Sequence, residues 1–135
     1  MDPANSHRFS TRRNRSAGLV MYALAALYIA HWVFAFQIAP DRKLTRENML
    51  AGVVIASMFS CALVWSGIRA ARGGRLVWAT MATVLCLLGS IVSFAFSLKL
   101  NPPRPYFSGL QIVIALVAIS SLVVLCKVEM ERSGK

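Results

Sequence analysis

Four uninterrupted apolar runs, Ala17–Ala39, Met49–Ile68, Leu76–Leu98 and Tyr106–Cys126, make up most of this 135-residue chain, and none contains Asp, Glu, Lys or Arg. An α-helix rises about 1.5 Å per residue, so about 20 residues cross a hydrocarbon layer about 30 Å thick. Each run is 20 to 23 residues long and meets that requirement. A charged side chain at the centre of such a helix costs about 2.5–3.5 kcal/mol on insertion scales, which explains why none is found there. Membrane strands need segments of about ten residues with alternating polarity, and these runs do not alternate. Helices of a water-soluble bundle each carry a charged outer face, which is missing here. The composition agrees, with 57% apolar and 15% charged residues, against about 45–50% and about 25% in ordinary globular chains. The expected fold class is an all-α integral membrane protein, a bundle of four transmembrane helices. The expected organisation is a basic cytoplasmic tail at 1–15, a four-helix transmembrane domain at 16–127 and a short cytoplasmic tail at 128–135.

The connections fit these boundaries. Pro40 ends the first helix, and Thr45 with Glu47 supplies a cap and an acidic first turn for the second. Gly73-Gly74 breaks the chain between helices two and three. Asn101-Pro102-Pro103-Arg104-Pro105 stops helix three, and Pro105 suits the first turn of helix four. Trp65 and Trp78 near one membrane face and Tyr106 near the other are placed as interfacial aromatics.

Basic residues set the expected orientation. Arg8, Arg12, Arg13 and Arg15, then Arg69, Arg72 and Arg75, then Lys127, Arg132 and Lys135 put ten positive charges on one side. Arg42, Lys43, Arg46, Lys99 and Arg104 put five on the other. Short cytoplasmic loops carry the Lys/Arg excess, so both termini are expected in the cytoplasm. The first apolar run is too long for the 7–15 residue h-region of a cleavable signal and reads as an anchor. Arginine outnumbers lysine and alanine is abundant, a composition that points to a bacterial inner membrane.

A shift of 60 residues lays the first two helices on the last two. Eleven identities result, among them Arg12 with Arg72, Met21 with Met81, and Phe34-Ala35-Phe36 with Phe94-Ala95-Phe96. This is a modest excess over what so apolar a composition gives by chance. Two parallel helical hairpins are one reading, and four similar hydrophobic helices are the simpler one.

Membrane helices associate through close packing and interhelical hydrogen bonds, because lipid tails are as apolar as leucine. The third helix carries Ala79, Thr83, Cys86, Ser90, Ser93 and Ser97 at spacings of four and three, which puts all six on one face. This stripe reads as a packing seam whose hydroxyls bond back to their own helix, and less readily as a pore lining. Leu85, Leu88, Ile91 and Val92 lie on the opposite side. Gly52, Ala56, Ser60 and Gly67 on the second helix form a further small-residue run. The first helix offers Gly18, Tyr22, Ala26 and Ala30 for packing, and the fourth offers Gln111, Ala115 and Ala118.

His31 is the one ionisable group in a span apart from thiols and phenols, which makes it a candidate site. By residue count Ser90, Ser93 and Gln111 reach similar depth, so these four form a candidate intramembrane polar cluster. Its simpler role is to fix helix packing, and its sharper role is a proton-responsive gate. Cys61, Cys86 and Cys126 show no Cys-x-x-Cys pair and read as reduced packing residues. No cofactor or metal site is expected, since a lone histidine cannot hold a structural metal. The sequence lacks Gly-x-Ser-x-Gly, His-Glu-x-x-His, a Walker loop and paired carboxylates, and it points away from an enzyme.

The net charge of +10 lies beside the membrane boundaries. Arg12, Arg13, Arg15, Arg69, Arg72 and Arg75 therefore read as contacts to anionic lipid headgroups, and nucleic acid is not an expected partner. The expected partners are the bilayer and either a second copy or a larger membrane protein. The leading functional expectation is a non-enzymatic accessory, assembly, regulatory or immunity-type role. The alternative is a small oligomeric transporter or channel with a Ser/Thr-lined path and His31 as its proton-responsive group; a lysis-type pore former is a third, weaker reading.

Overall fold

The computed structural model describes residues 3–38, 45–99 and 105–134, with side chains from Asn14 onward in the first segment. Among these residues every regular element is helical: α1 (Pro3–Val33), a π-helical turn (Phe34–Ile38), α2 (Arg46–Ala71), α3 (Val77–Ser97) and α4 (Pro105–Arg132). Four helices are long and apolar enough to cross a membrane. Pro40, Arg42, Lys43 and Asn101 to Arg104 lie outside the described residues, as do the side chains of Arg12, Arg13 and Gln37.

Two helices run well beyond the apolar segments that define them, and α2 exceeds its own by three residues at each end. Helix α1 continues back through the basic segment to Pro3, and α4 continues to Arg132. Residues after Cys126 are good helix formers, Val128 is buried against the core, and Gly134 at φ +69° marks the stop. At 28 residues α4 is about 42 Å long, about two turns more than a hydrocarbon layer requires.

Local chemistry sets the helix ends as the sequence implies. The Thr45 carbonyl accepts the first α2 bond from the Met49 N–H at 3.0 Å, and Glu47 lies in the first turn. The other end of α2 closes in a Schellman turn. The Gly74 N–H donates to the Arg69 carbonyl at 2.8 Å and the Gly73 N–H to the Ala70 carbonyl at 3.1 Å. Gly73 holds φ +80°, a conformation that L side chains rarely adopt.

Helix α1 packs along α2 and also along α4, α3 packs along α4, and the α2–α3 contact is the least extensive of the four. The core fills the space where α1, α3 and α4 converge, with Ala17, Met21, Leu24, Ala79, Cys86, Ile114, Ala118 and Leu125 buried, joined by Leu63 and Ala70 of α2. Gly18 makes a close crossing between α1 and α2. A Cβ built on it would stand 2.7 Å from the Ala71 Cβ and 3.4 Å from the Gly67 carbonyl oxygen. The small residues of α1 do not all face inward: Ala26 and Ala30 are exposed and Tyr22 is partly so. Met21 and Leu24 take the interior positions, because α1 must fill a three-way junction there as well as approach α2 closely.

Burial does not repeat with the 60-residue shift. Met21 is fully buried, whereas its counterpart Met81 is 53% exposed. The counterpart of the tightly packed Gly18 is Trp78, which lies on the outside of α3.

The Gly18 crossing yields a direct test. Gly18→Val is expected to destabilise the fold by about 1–3 kcal/mol through overpacking. Gly89→Ala, whose added Cβ meets nothing within 4 Å, is expected to be neutral or slightly stabilising. Thermal or denaturant unfolding of the two variants in detergent checks both expectations.

Candidate functional site

Helices α1 and α4 bring His31 and Gln111 together. Both side chains are buried, at 2% and 3% exposure, and the Gln111 Nε2 lies 2.7 Å from the His31 Nε2. An amide nitrogen only donates, so in this arrangement His31 Nε2 accepts and Nδ1 carries the ring proton. Turning the amide over exchanges the roles and the tautomer. The His31 Nδ1 is buried without a hydrogen-bond partner among the described residues. Aromatic rings enclose the imidazole: Phe107 of α4 has its centroid at 4.8 Å and Trp32 at 5.5 Å. Protonating the ring as it stands would remove the acceptor that Gln111 uses. Charge and amide orientation at this pair are therefore linked.

The other two members of the sequence-derived cluster behave differently. Ser90 is buried, but its Oγ donates to the Cys86 carbonyl of its own helix at 2.9 Å. Ser93 is only half-buried, at the edge of the α3 inner face. The contact that is formed is thus a His31–Gln111 pair, with Ser90 oriented toward its own backbone.

The α3 stripe faces the interior through Ala79, Thr83, Cys86, Ser90 and Ser97. Thr83 Oγ1 donates to the Ala79 carbonyl at 2.7 Å and rests 3.3 Å from Met21 Sδ on α1. Ser97 Oγ donates to the Phe94 carbonyl at 2.7 Å and stands 2.7 Å from Ser108 Oγ of α4. Leu85, Leu88, Ile91 and Val92 face outward, each more than half exposed. The hydroxyls therefore serve the helix that carries them and one neighbouring side chain each at two points, an arrangement suited to a seam between helices. Of the three thiols, Cys86 packs in the core, whereas Cys61 and Cys126 are exposed. Among the described residues no three His, Cys, Asp or Glu side chains gather as a metal-binding group.

One polar assembly was not apparent from the sequence. Arg132, in the last turn of α4, donates from Nη1 to the Gly74 carbonyl at 2.8 Å and from Nη2 to Asn14 Oδ1 on α1. This clasp ties α1, the α2–α3 turn and α4 at one end of the bundle. Asn14 also stands against the turn, where a Cβ on Gly73 would come within 3.0 Å of its Nδ2. The available signals were the basic last turn of α4 and the Gly-Gly pair, but neither names the other as partner.

Aromatic contacts line the α1–α2 side. Trp32 stacks on Phe36 at 5.0 Å and 18°, and Tyr28 meets Phe59 of α2 at 6.0 Å. A recess of about 390 Å³ lies there, bordered by Trp32, Phe36, Ser57, Ser60 and Cys61. At the end of the bundle that carries the clasp, Arg69 lies over the Trp65 ring at 4.9 Å, and Trp65 meets Trp78 edge-on at 6.4 Å.

The buried pair is measurable by a double-mutant cycle. Combining His31→Leu with Gln111→Leu is expected to give a coupling of about 1 kcal/mol, within the range found for hydrogen bonds between membrane helices. The seam predicts that Ser90→Leu lowers stability or assembly while Leu88→Ala does not, read from unfolding in detergent and size-exclusion profiles. Equal tolerance of both would remove the inner-face assignment.

No protein-family model, curated protein or solved structure matches this chain, so its function is argued from its own residues.

Proposed function

We propose that the chain is a four-span integral membrane protein of a bacterial inner membrane, with both termini cytoplasmic. In this reading it works without catalysis, as an accessory, assembly, regulatory or immunity-type component that packs against a larger membrane protein or against itself. One observation carries the reading: the inner hydroxyls of α3 and the Gln111 amide are bonded within the bundle while the outer surface is apolar. Thr83, Ser90 and Ser97 return their hydroxyls to their own helix, and His31 and Gln111 bond each other. Less than a third of each apolar helical window is buried inside the molecule. The remainder is surface that water would not favour and that lipid or a partner helix would. The sidedness rests on the ten-to-five distribution of basic residues. It gains support from the clasp, which gathers Asn14, Gly74 and Arg132 at one end.

Alkaline carbonate extraction is expected to leave the protein in the membrane pellet, and reporter fusions after Lys135 are expected to report cytoplasm. A stable membrane partner, or a discrete homo-oligomer, is expected from a detergent pull-down with mass-spectrometric identification. Recovery in the carbonate supernatant would overturn the membrane reading.

A specific observation favours a second reading. A buried imidazole nitrogen without a partner is unusual in a purely packing role, and it suits a small transporter or channel in which His31 responds to protons. That reading predicts pH-dependent flux from purified protein in liposomes that disappears in His31→Ala. Absence of flux from well-folded protein would remove it.

A further inference from the structure

Helices α2 and α3 diverge and leave a groove of about 490 Å³ open to the outside of the bundle, lined by Ile55, Met58, Ala62, Trp65, Trp78 and Leu85 among others. Its one hydroxyl, that of Ser66, is bonded to the Ala62 carbonyl. The wall therefore offers almost nothing but hydrocarbon and indole. Along α2 the groove runs from Trp65 to Ile55, ten residues or about 15 Å of helix rise, which is half of a hydrocarbon layer about 30 Å thick. That is the depth of one leaflet.

The end of the groove is built differently. Trp65 and Trp78 meet edge-on there, Arg69 lies over Trp65, and the chain then turns through Arg72 and Arg75, both exposed. No Asp or Glu occurs in the sequence between Glu47 and Glu129. Stacking on the indole face holds the Arg69 guanidinium in place while its N–H edges stay available to donate, a geometry suited to a phosphate. The groove thus has an apolar trough one leaflet deep, an aromatic collar and a cationic mouth, in the order in which a phospholipid presents its chain, its glycerol and its headgroup.

We propose that the α2–α3 groove is a binding site for one phospholipid with an anionic headgroup, with an acyl chain between Ile55 and Trp65 and the phosphate at Arg69. The site rests on the membrane reading above and adds to it a defined stoichiometry, a headgroup preference and a place. A general basic rim would attract anionic lipid at Lys127 as readily as at Arg69, whereas the groove assigns the preference to Arg69.

The test uses the full chain purified in a zwitterionic detergent and titrated with phosphatidylglycerol or phosphatidylcholine of identical acyl chains. Native mass spectrometry reads the lipids retained, and thermal unfolding reads the shift. One phosphatidylglycerol is expected to be retained in preference to phosphatidylcholine. Arg69→Gln is expected to reduce that preference about fivefold, and Lys127→Gln, at an exposed position on α4, is expected to leave it nearly unchanged. Ala82→Phe, which fills the groove wall, is expected to abolish retention of either lipid. Equal retention of the two lipids, an equal effect of Lys127→Gln and Arg69→Gln, or occupation of the groove by a second copy, seen as a dimer that Ala82→Phe dissociates, would each overturn the site. Flotation with liposomes separates the two levels. Protein that floats but shows no headgroup preference overturns the groove alone, and protein that does not float ends both readings. Should Ala82→Phe fail to fold, the comparison of Arg69→Gln with Lys127→Gln decides the proposal by itself.

Discussion

A polar group placed inside a bundle of long apolar helices has no water to turn to, so each hydroxyl, imidazole and amide needs a partner within the protein or within its own helix. Most features of this chain follow from how that requirement is met. Serine and threonine at inner positions of α3 bond to carbonyls three or four residues earlier. A hydroxyl that closes on its own helix becomes in effect a small residue, and it permits close approach without demanding a cross-helix partner. Where two polar groups are too large for that, as with His31 and Gln111, they find each other across α1 and α4.

Close approach is the second half of the arrangement. In the membrane reading proposed above, lipid would offer no advantage to burying leucine over alanine, so contact between helices would depend on shape. The α1–α2 crossing is drawn in by Gly18 against Ala71 and Gly67. Among the described residues no glycine makes such a crossing between α2 and α3, whose contact is the least extensive and whose groove is lined by Trp65 and Trp78. Tight packing on one side and an open groove on the other follow from where the glycines and the tryptophans fall in the sequence.

Much of the architecture was legible from residue order. Four apolar runs gave four helices, Thr45 with Glu47 gave the α2 start, and Gly73-Gly74 gave its stop, because each of these rests on local backbone chemistry. The inner face of α3 was legible for the same reason, since a 3.6-residue period fixes which side chains share a side; Ser93 falls at its margin because the period does not fix how wide the contact is. The pairing of His31 with Gln111 was within reach of depth counting, although depth counting placed Ser90 and Ser93 beside them equally well. Residue spacing does not encode rotation about the axis of a neighbouring helix, and this rotation decides which group at a given depth faces which. The Arg132 clasp lay further out of reach. It joins side chains 118 positions apart and uses a carbonyl that any residue would supply. The inward turn of Met21 and Leu24, in place of Ala26 and Ala30, likewise depends on α1 touching two helices at once.

The His31–Gln111 contact spans 80 positions, and the chain is made from α1 toward α4. The imidazole therefore takes its place before its amide partner has been synthesised, and the first hairpin must wait with an unanswered polar group on its flank. During that interval α1 and α2 are held by their own packing, the Gly18 crossing and the Tyr28–Phe59 contact included. Biogenesis of this fold is thus a problem of timing, in which the earliest helix stays incomplete until the latest one arrives.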